Sequence, residues 1–132
     1  MLKTLEIPTR SRIEFVNVDR QIETVVHESG ISEGICMLWV PHTTAAVTIN
    51  ENADPDVVRD IIMHTSGMIP EHSDFRHSEG NSDAHIKSSL FGPSLTLVIS
   101  SGRLLLGTWQ SVYFCEFDGP RRRRLAVKVI QG

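Results

Sequence analysis

The chain has 132 residues, 40% of them hydrophobic and 22% charged, a balance that fits one globular domain whose core needs no covalent staples. Its net charge of −3 gives no global attraction to nucleic acid or to an anionic membrane. No apolar run approaches the roughly 18 residues needed to span a bilayer, and Met1-Leu2-Lys3-Thr4-Leu5 lacks a signal-peptide core, so the cytoplasm is the expected location.

Taken in order, Leu2–Pro8 and Arg12–Val18 alternate apolar and polar residues and read as strands joined through Thr9-Arg10-Ser11. Asp19 is placed to cap a short helix with Ile22, Val25 and Val26 on one face, stopped by Gly30. Gly34–Val40 is a nearly continuous apolar run, as expected of a buried strand, and Ala45–Asn50 alternates again. Asp54-Pro55 is a strong helix start: the carboxylate can accept from orphan N–H groups, and proline suits the first helical position. Val57, Val58, Ile61 and Ile62 then repeat at helical spacing until about Gly67.

Residues 69–82 read as a long polar loop, and loops of that length inside compact domains often carry function. Asp83 is expected to cap a helix running to Leu90, stopped by Gly92-Pro93. Strands follow at Leu95–Ser100, Leu104–Gly107, Gln110–Phe117 and Leu125–Ile130, with turn signals at Ser101-Gly102-Arg103 and Asp118-Gly119-Pro120. The sum is one α+β domain over residues 1–132, with about seven mostly antiparallel strands and three short helices. Cys36 and Cys115 lie in apolar strand-like runs, where buried free thiols are expected rather than a disulfide.

Polar residues cluster in four places. His77-Ser78-Glu79-Gly80-Asn81-Ser82-Asp83-Ala84-His85 holds two imidazoles and two carboxylates around a glycine, ending at a helix start. His42-Thr43-Thr44 follows the apolar strand. If His42, His77 and His85 converge, three neutral imidazoles make an open metal site; if not, they are turn and surface residues. Lys87, one turn beyond Asp83, either joins the free N–H groups of the helix start in holding an anion or sits on a solvated helix face. In Asn50-Glu51-Asn52-Ala53-Asp54, two carboxylates and two amides could hold a metal, a polar substrate or an amine; capping accounts for Asp54 and leaves Glu51 as the better site candidate. Gly107-Thr108-Trp109-Gln110 joins two strands. There Trp109 can stack on a planar heterocycle and Gln110 can read its edge, unless the tryptophan is simply packed beside a bulge. The run Arg121–Arg124 heads a strand, so its side chains alternate between faces and suit a subunit contact or a charged edge better than one basic patch. His27 and His64 read as surface histidines, and His72, in the long loop, as a reserve ligand only.

Five blocks occur together in order: His42-Thr43-Thr44-Ala45; Thr48-Ile49-Asn50-Glu51-Asn52; Asn81 through Leu90; Gly102 through Gln110; and Glu116-Phe117-Asp118-Gly119-Pro120-Arg121. This ordered set resembles the YjbQ family of small proteins over nearly the whole chain. The resemblance implies an α+β fold, a homotrimer, and a divalent metal, zinc on donor chemistry, held by residues matching His42, His77 and His85. It also implies a secondary thiamine-phosphate synthase activity, joining a hydroxymethylpyrimidine diphosphate to a thiazole phosphate with release of pyrophosphate. On that reading Glu51 and His85 are the catalytic candidates. Thr43, Thr44, Asn50, Asp83, Lys87, Thr108, Trp109 and Gln110 would contact a phosphorylated metabolite, with no nucleic acid or membrane partner. Two alternatives use the same residues: a zinc-type hydrolase with Glu51 as base, and a non-catalytic trimeric module that binds a phosphorylated metabolite.

Overall fold

The computed structural model describes residues 1–132 and contains eight strands and three helices. The strands are β1 (Leu2–Pro8), β2 (Glu14–Asn17), β3 (Gly34–Trp39), β4 (Ala45–Glu51), β5 (Ser94–Ser100), β6 (Arg103–Leu104), β7 (Gln110–Glu116) and β8 (Arg122–Gln131). The helices are α1 (Asp19–Ser29), α2 (Pro55–Met68) and α3 (Ser82–Phe91). Every strand pairing is antiparallel, in a five-stranded sheet β1-β8-β3-β5-β6 and a three-stranded sheet β2-β7-β4. No helix is long and apolar enough to cross a membrane.

The molecule is layered. One face of the large sheet (Cys36, Leu38, Leu97, Ile99, Leu125, Val127, Val129) packs against α1 (Ile22, Val25, Val26) and one face of the small sheet (Val47, Val112, Phe114). The other face of the small sheet supplies Ala46, Tyr113 and Cys115 to a second cluster, closed by Ala84 and Phe91 of α3 and Val58 of α2. Strand β7 is therefore covered on both sides, while the outer face of the large sheet has no covering layer. Gly34 opens β3 where a Cβ would run into the backbone carbonyl of Ile130 on β8, so the approach of these two strands requires glycine.

Several expectations need correction. The run Gly34–Val40 is buried on one face only: Cys36 and Leu38 point inward, while Ile35, Met37 and Trp39 remain exposed. Continuous hydrophobicity concealed the alternation. Asp19 is the first residue of α1 rather than its cap, and its carboxylate accepts instead from the Val112 N–H at 2.7 Å, tying α1 to β7. Gly67 lies inside α2, whose start at Asp54-Pro55 is as expected, with the Asp54 carboxylate accepting from Asp56 N–H at 2.9 Å. The strand expected at Leu104–Gly107 shrinks to Arg103–Leu104. Cys36 and Cys115 are buried free thiols, and burial pushes Cys36 up to about 11.

Candidate functional site

Helix α3 lies along β4, and that contact builds the site. The Gly92 carbonyl at the helix end accepts from Val47 N–H (3.2 Å), and Pro93 accepts from Val40 N–H (2.7 Å). These bonds hold the His42-Thr43-Thr44 corner beside the outer flank of the helix. A cavity of about 360 Å³ there is lined by His42, Thr43, Ala45, His85, Ser88, Ser89 and Pro93. Toward the helix start, His85 opens onto a second hollow of about 350 Å³, shared with Phe75, Arg76, His77, Ser82 and Ile86. In the other direction His42, Thr43 and Pro93 also line a third, of about 550 Å³, with Trp39, Val40, Pro41, Thr44, Arg121 and Arg123. Shared residues make these three hollows one furrow. No carboxylate lines any part of it, in a chain of net charge −3.

The histidines stand along this furrow in sequence. His77 and His85 meet edge to face with ring centroids 5.4 Å apart, and His42 shares the central cavity with His85. His42 Nε2 accepts from the Arg124 backbone N–H at 2.9 Å, so in the neutral ring the proton sits on Nδ1. Burial, then the nearby Arg123 and Arg124 charges, hold its pKa below the ordinary histidine value. With one nitrogen accepting and the other protonated, His42 has no lone pair free for a metal. Nor do any three histidine, cysteine or carboxylate side chains stand close enough to share an ion. The three-histidine metal site expected from the family therefore does not fit this arrangement; His77 and His85 remain as a pair.

Asp83 and Lys87 turn inward, away from the furrow. Asp83 does not cap α3, whose N-cap residue is Asn81. Its carboxylate is fully buried and takes both ends of the Arg12 guanidinium, at 3.0 and 3.1 Å. Burial raises its pKa, but the Arg12 hydrogen bonds and charge, with Lys87, bring the net value below the usual range. Lys87 is not a solvated residue: it is 1% exposed, with Nζ 3.6 Å from Asp83 and above the Phe117 ring. Burial, only partly offset by Asp83, lowers its pKa. Both residues brace α3 against the Arg12 turn and Phe117 and leave its outer flank to the histidines.

Glu51, Asn50 and the 108–110 segment gather elsewhere. Glu51 pairs with Gln110 across the small sheet, and Asn52 N–H donates to the Trp109 carbonyl. A separate hollow of about 420 Å³ is lined by Gly107, Thr108, Trp109 and Gln110. Trp109 is 64% exposed rather than packed. Because β4 runs from Ala45 to Glu51, the two groups lie at opposite ends of one strand, about 20 Å apart. Residues that the sequence reading missed include Trp39, Arg76, Arg121 and Pro93. Arg123 also borders the furrow, but Glu116 neutralises it in a buried pair, with Thr44 Oγ1 accepting at 2.8 Å.

A family model described as UPF0047 protein YjbQ-like matches residues 3–132. The chain belongs to the YjbQ family. It is 54% identical over 130 residues to UPF0047 protein MJ1081 of Methanocaldococcus jannaschii, covering 98% of this chain and 94% of that one. It is 50% identical over 131 residues to UPF0047 protein YugU of Bacillus subtilis, covering 98% and 99% respectively. A crystal structure of a YjbQ/UPF0047 family protein from Clostridium acetobutylicum superposes with a TM-score of 0.95 at 48% identity, over 97% of this chain and 99% of that one. A YjbQ-like protein of unknown function from Sulfolobus solfataricus gives 0.95 at 29% identity, over 100% and 97%. The YjbQ relatives thus share the whole fold, and the chemistry must be argued from the furrow.

Proposed function

We propose that the furrow of this YjbQ-family chain binds phosphorylated small molecules and supports a thiamine-phosphate synthase-type transfer. The observation that carries this reading is the lining: Arg76, Arg121, three histidines and the Thr43 hydroxyl, with no carboxylate, in an acidic chain. Local cations and N–H donors free of competing carboxylates are what a phosphate or diphosphate requires. The furrow has a cation-bearing hollow at each end and imidazoles between them, which suits two phosphorylated reactants meeting at the centre.

In that transfer the thiazole nitrogen attacks the methylene carbon of the pyrimidine. The carbon–oxygen bond to the diphosphate breaks, and its electron pair leaves with pyrophosphate. Arg76 and Ser82 at the start of α3, which line the same hollow, are placed to take the charge that grows on the leaving oxygen, and His85 beside them can donate to it. The Thr43 hydroxyl and Arg121 hold the other phosphate and so fix the line of attack. No step runs through a metal. The chain assembles as a homotrimer on this reading, supported by the uncovered outer face of the large sheet, where Ile35, Met37, Val98 and Ile130 are each 41–52% exposed. The Glu51–Trp109 cluster, out of reach of its own furrow, then serves the furrow of a neighbouring copy.

The test is calorimetric binding of pyrophosphate and thiamine phosphate, alongside formation of thiamine phosphate from its two precursors. Binding and turnover, both weakened in His85→Ala and Arg76→Gln, support the reading. Binding without turnover leaves a phosphate-binding module, and no binding of either ligand removes the proposal.

A further inference from the structure

Residues 70–80 make no backbone hydrogen bond to the rest of the molecule, and all of them except Phe75 are exposed. Two side-chain contacts hold this stretch. Near its start the Glu71 carboxylate pairs with Arg12 Nε at 3.3 Å, and near its end His77 meets the His85 ring. Arg12 therefore uses its whole guanidinium: Nη1 and Nη2 face Asp83, and the Nε edge faces Glu71. The two carboxylates differ in what release would cost. The Asp83 side chain is 1% exposed and cannot leave Arg12 without stranding a buried charge, whereas that of Glu71 is 48% exposed and passes directly into water. Phe75 joins neither hydrophobic cluster. With Arg76 and His77 it forms half the lining of the hollow at the start of α3, and Ser82, His85 and Ile86 supply the rest. Gly80, at φ 80°, turns the chain from this stretch into α3.

We infer that residues 70–81 form a lid on this hollow, latched by the Glu71–Arg12 ion pair and held shut by a bound anion through Arg76. The structure shows the latched position. Release of Glu71 lets Phe75 and Arg76 swing off the hollow about Gly80, while Asp83 keeps Arg12, and with it α3 and His85, in place. One wall of the hollow is thus fixed and the other movable. A segment without backbone hydrogen bonds to its surroundings opens at low cost, which is what a lid requires. An anion that touches Arg76 only in the closed position favours closure by the strength of that contact. Opening admits the reactants, and closure keeps water from the diphosphate. The ligand half of this inference rests on the reading of the furrow as a phosphate site; the latch rests on Arg12, Glu71 and the unbonded backbone.

Trypsin cutting after Arg76, the only lysine or arginine between Arg59 and Lys87, reads how often the lid opens. In Glu71→Gln the cut should be about threefold faster than in the parent at low salt, as the loss of one exposed ion pair allows. Raising the salt should bring the parent toward the variant and leave the variant nearly unchanged, because only the parent has the pair to screen. The urea midpoint should be the same in both, which separates lid opening from global unfolding. Saturating pyrophosphate should slow the cut in the parent by about tenfold. Cutting by glutamyl endopeptidase at Glu79, which does not line the hollow, should slow with it and so tells closure from simple shielding of Arg76. Equal cutting of parent and variant at every salt concentration, or a urea midpoint that falls in step with faster cutting, overturns the latch. Pyrophosphate that binds by calorimetry yet leaves the Glu79 cut unchanged overturns the lid and leaves the phosphate site standing. Pyrophosphate that does not bind overturns the phosphate reading together with the anion-held closure.

Discussion

Arg12 reaches across 71 residues to hold both carboxylate oxygens of Asp83, at 3.0 and 3.1 Å, and so fixes the first turn of the helix that carries His85. Asp83 is fully buried and Lys87 beside it nearly so, which makes the carboxylate the counter-charge for two cations. Asp83→Ala strands Lys87 as a buried, unpaired charge and should destabilise the protein by about 3 kcal/mol in urea denaturation. Adding Lys87→Met should recover a substantial part of that loss, because the orphaned charge is gone. Equal destabilisation by the single and double variants would show that Lys87 does not depend on Asp83.

This arrangement also marks where sequence reading stops. The cap at Asp54 and the αL stop of α1 at Gly30 are local signals, and both reappear in the structure; the alternation read in β4 does not, because Ala45, Ala46 and Val47 are all buried. Lys87 was legible only as a helix position: its burial depends on Arg12, Asp83 and Phe117, which no local pattern brings together. Likewise Arg123 looked like one of four equivalent arginines until Glu116 and Thr44 enclosed it. Trp39 was hidden because an all-apolar run gives no sign of which side faces solvent. The separation of His42 from Glu51 was implicit in the strand length itself, since seven residues of extended chain cannot bring their ends together.

His42 gives the fold an acid-side dependence distinct from that of its carboxylates. Its pKa in the folded protein lies below the ordinary histidine value, because burial and the arginines around it oppose protonation. As pH falls through about 6.5, the unfolded chain takes up this proton before the folded one, so stability is lost on acidification. His42→Asn should remove that component: its melting temperature, set against the parent's, should compare more favourably at pH 5.5 than at pH 7.5. Asp83 and Glu116, whose pKa values are held below the ordinary carboxylate value, lose their contributions only as pH falls from that ordinary value through the depressed ones, and so do not obscure the comparison at pH 5.5. A constant difference between the two proteins from pH 7.5 to 5.5 would contradict the assignment.

The imidazole pair limits what metal the chain can hold. His77 and His85 offer two donors, whereas a structural or catalytic zinc site needs at least three protein ligands. Protein loaded with one equivalent of zinc and then dialysed should retain well under one zinc per chain by atomic spectroscopy, and His42→Ala should retain the same amount as the parent. One tightly held zinc per chain that His42→Ala abolishes would mean that the His42 ring leaves the Arg124 N–H to become a ligand.

The last prediction follows from the length of β4. Glu51 and Trp109 stand at one end of it and His42 at the other, so within one chain they cannot touch the same small ligand. If the homotrimer brings the Glu51 end of one copy to the histidine furrow of the next, each working site draws on two chains, as a head-to-tail ring allows. Glu51→Gln and His85→Ala should then each lose turnover as pure proteins. Co-refolding them in equal amounts should restore about a quarter of the parent rate of thiamine phosphate formation, because each site needs an intact furrow on one side and an intact Glu51 on the other. Glu51→Gln mixed with itself provides the baseline. No recovery in the mixture, despite confirmed mixed trimers, would mean that Glu51 of one chain and His85 of the next do not share a site. Full turnover by pure Glu51→Gln would confine the chemistry to the furrow of a single chain, where Arg76, His85 and Arg121 would have to suffice.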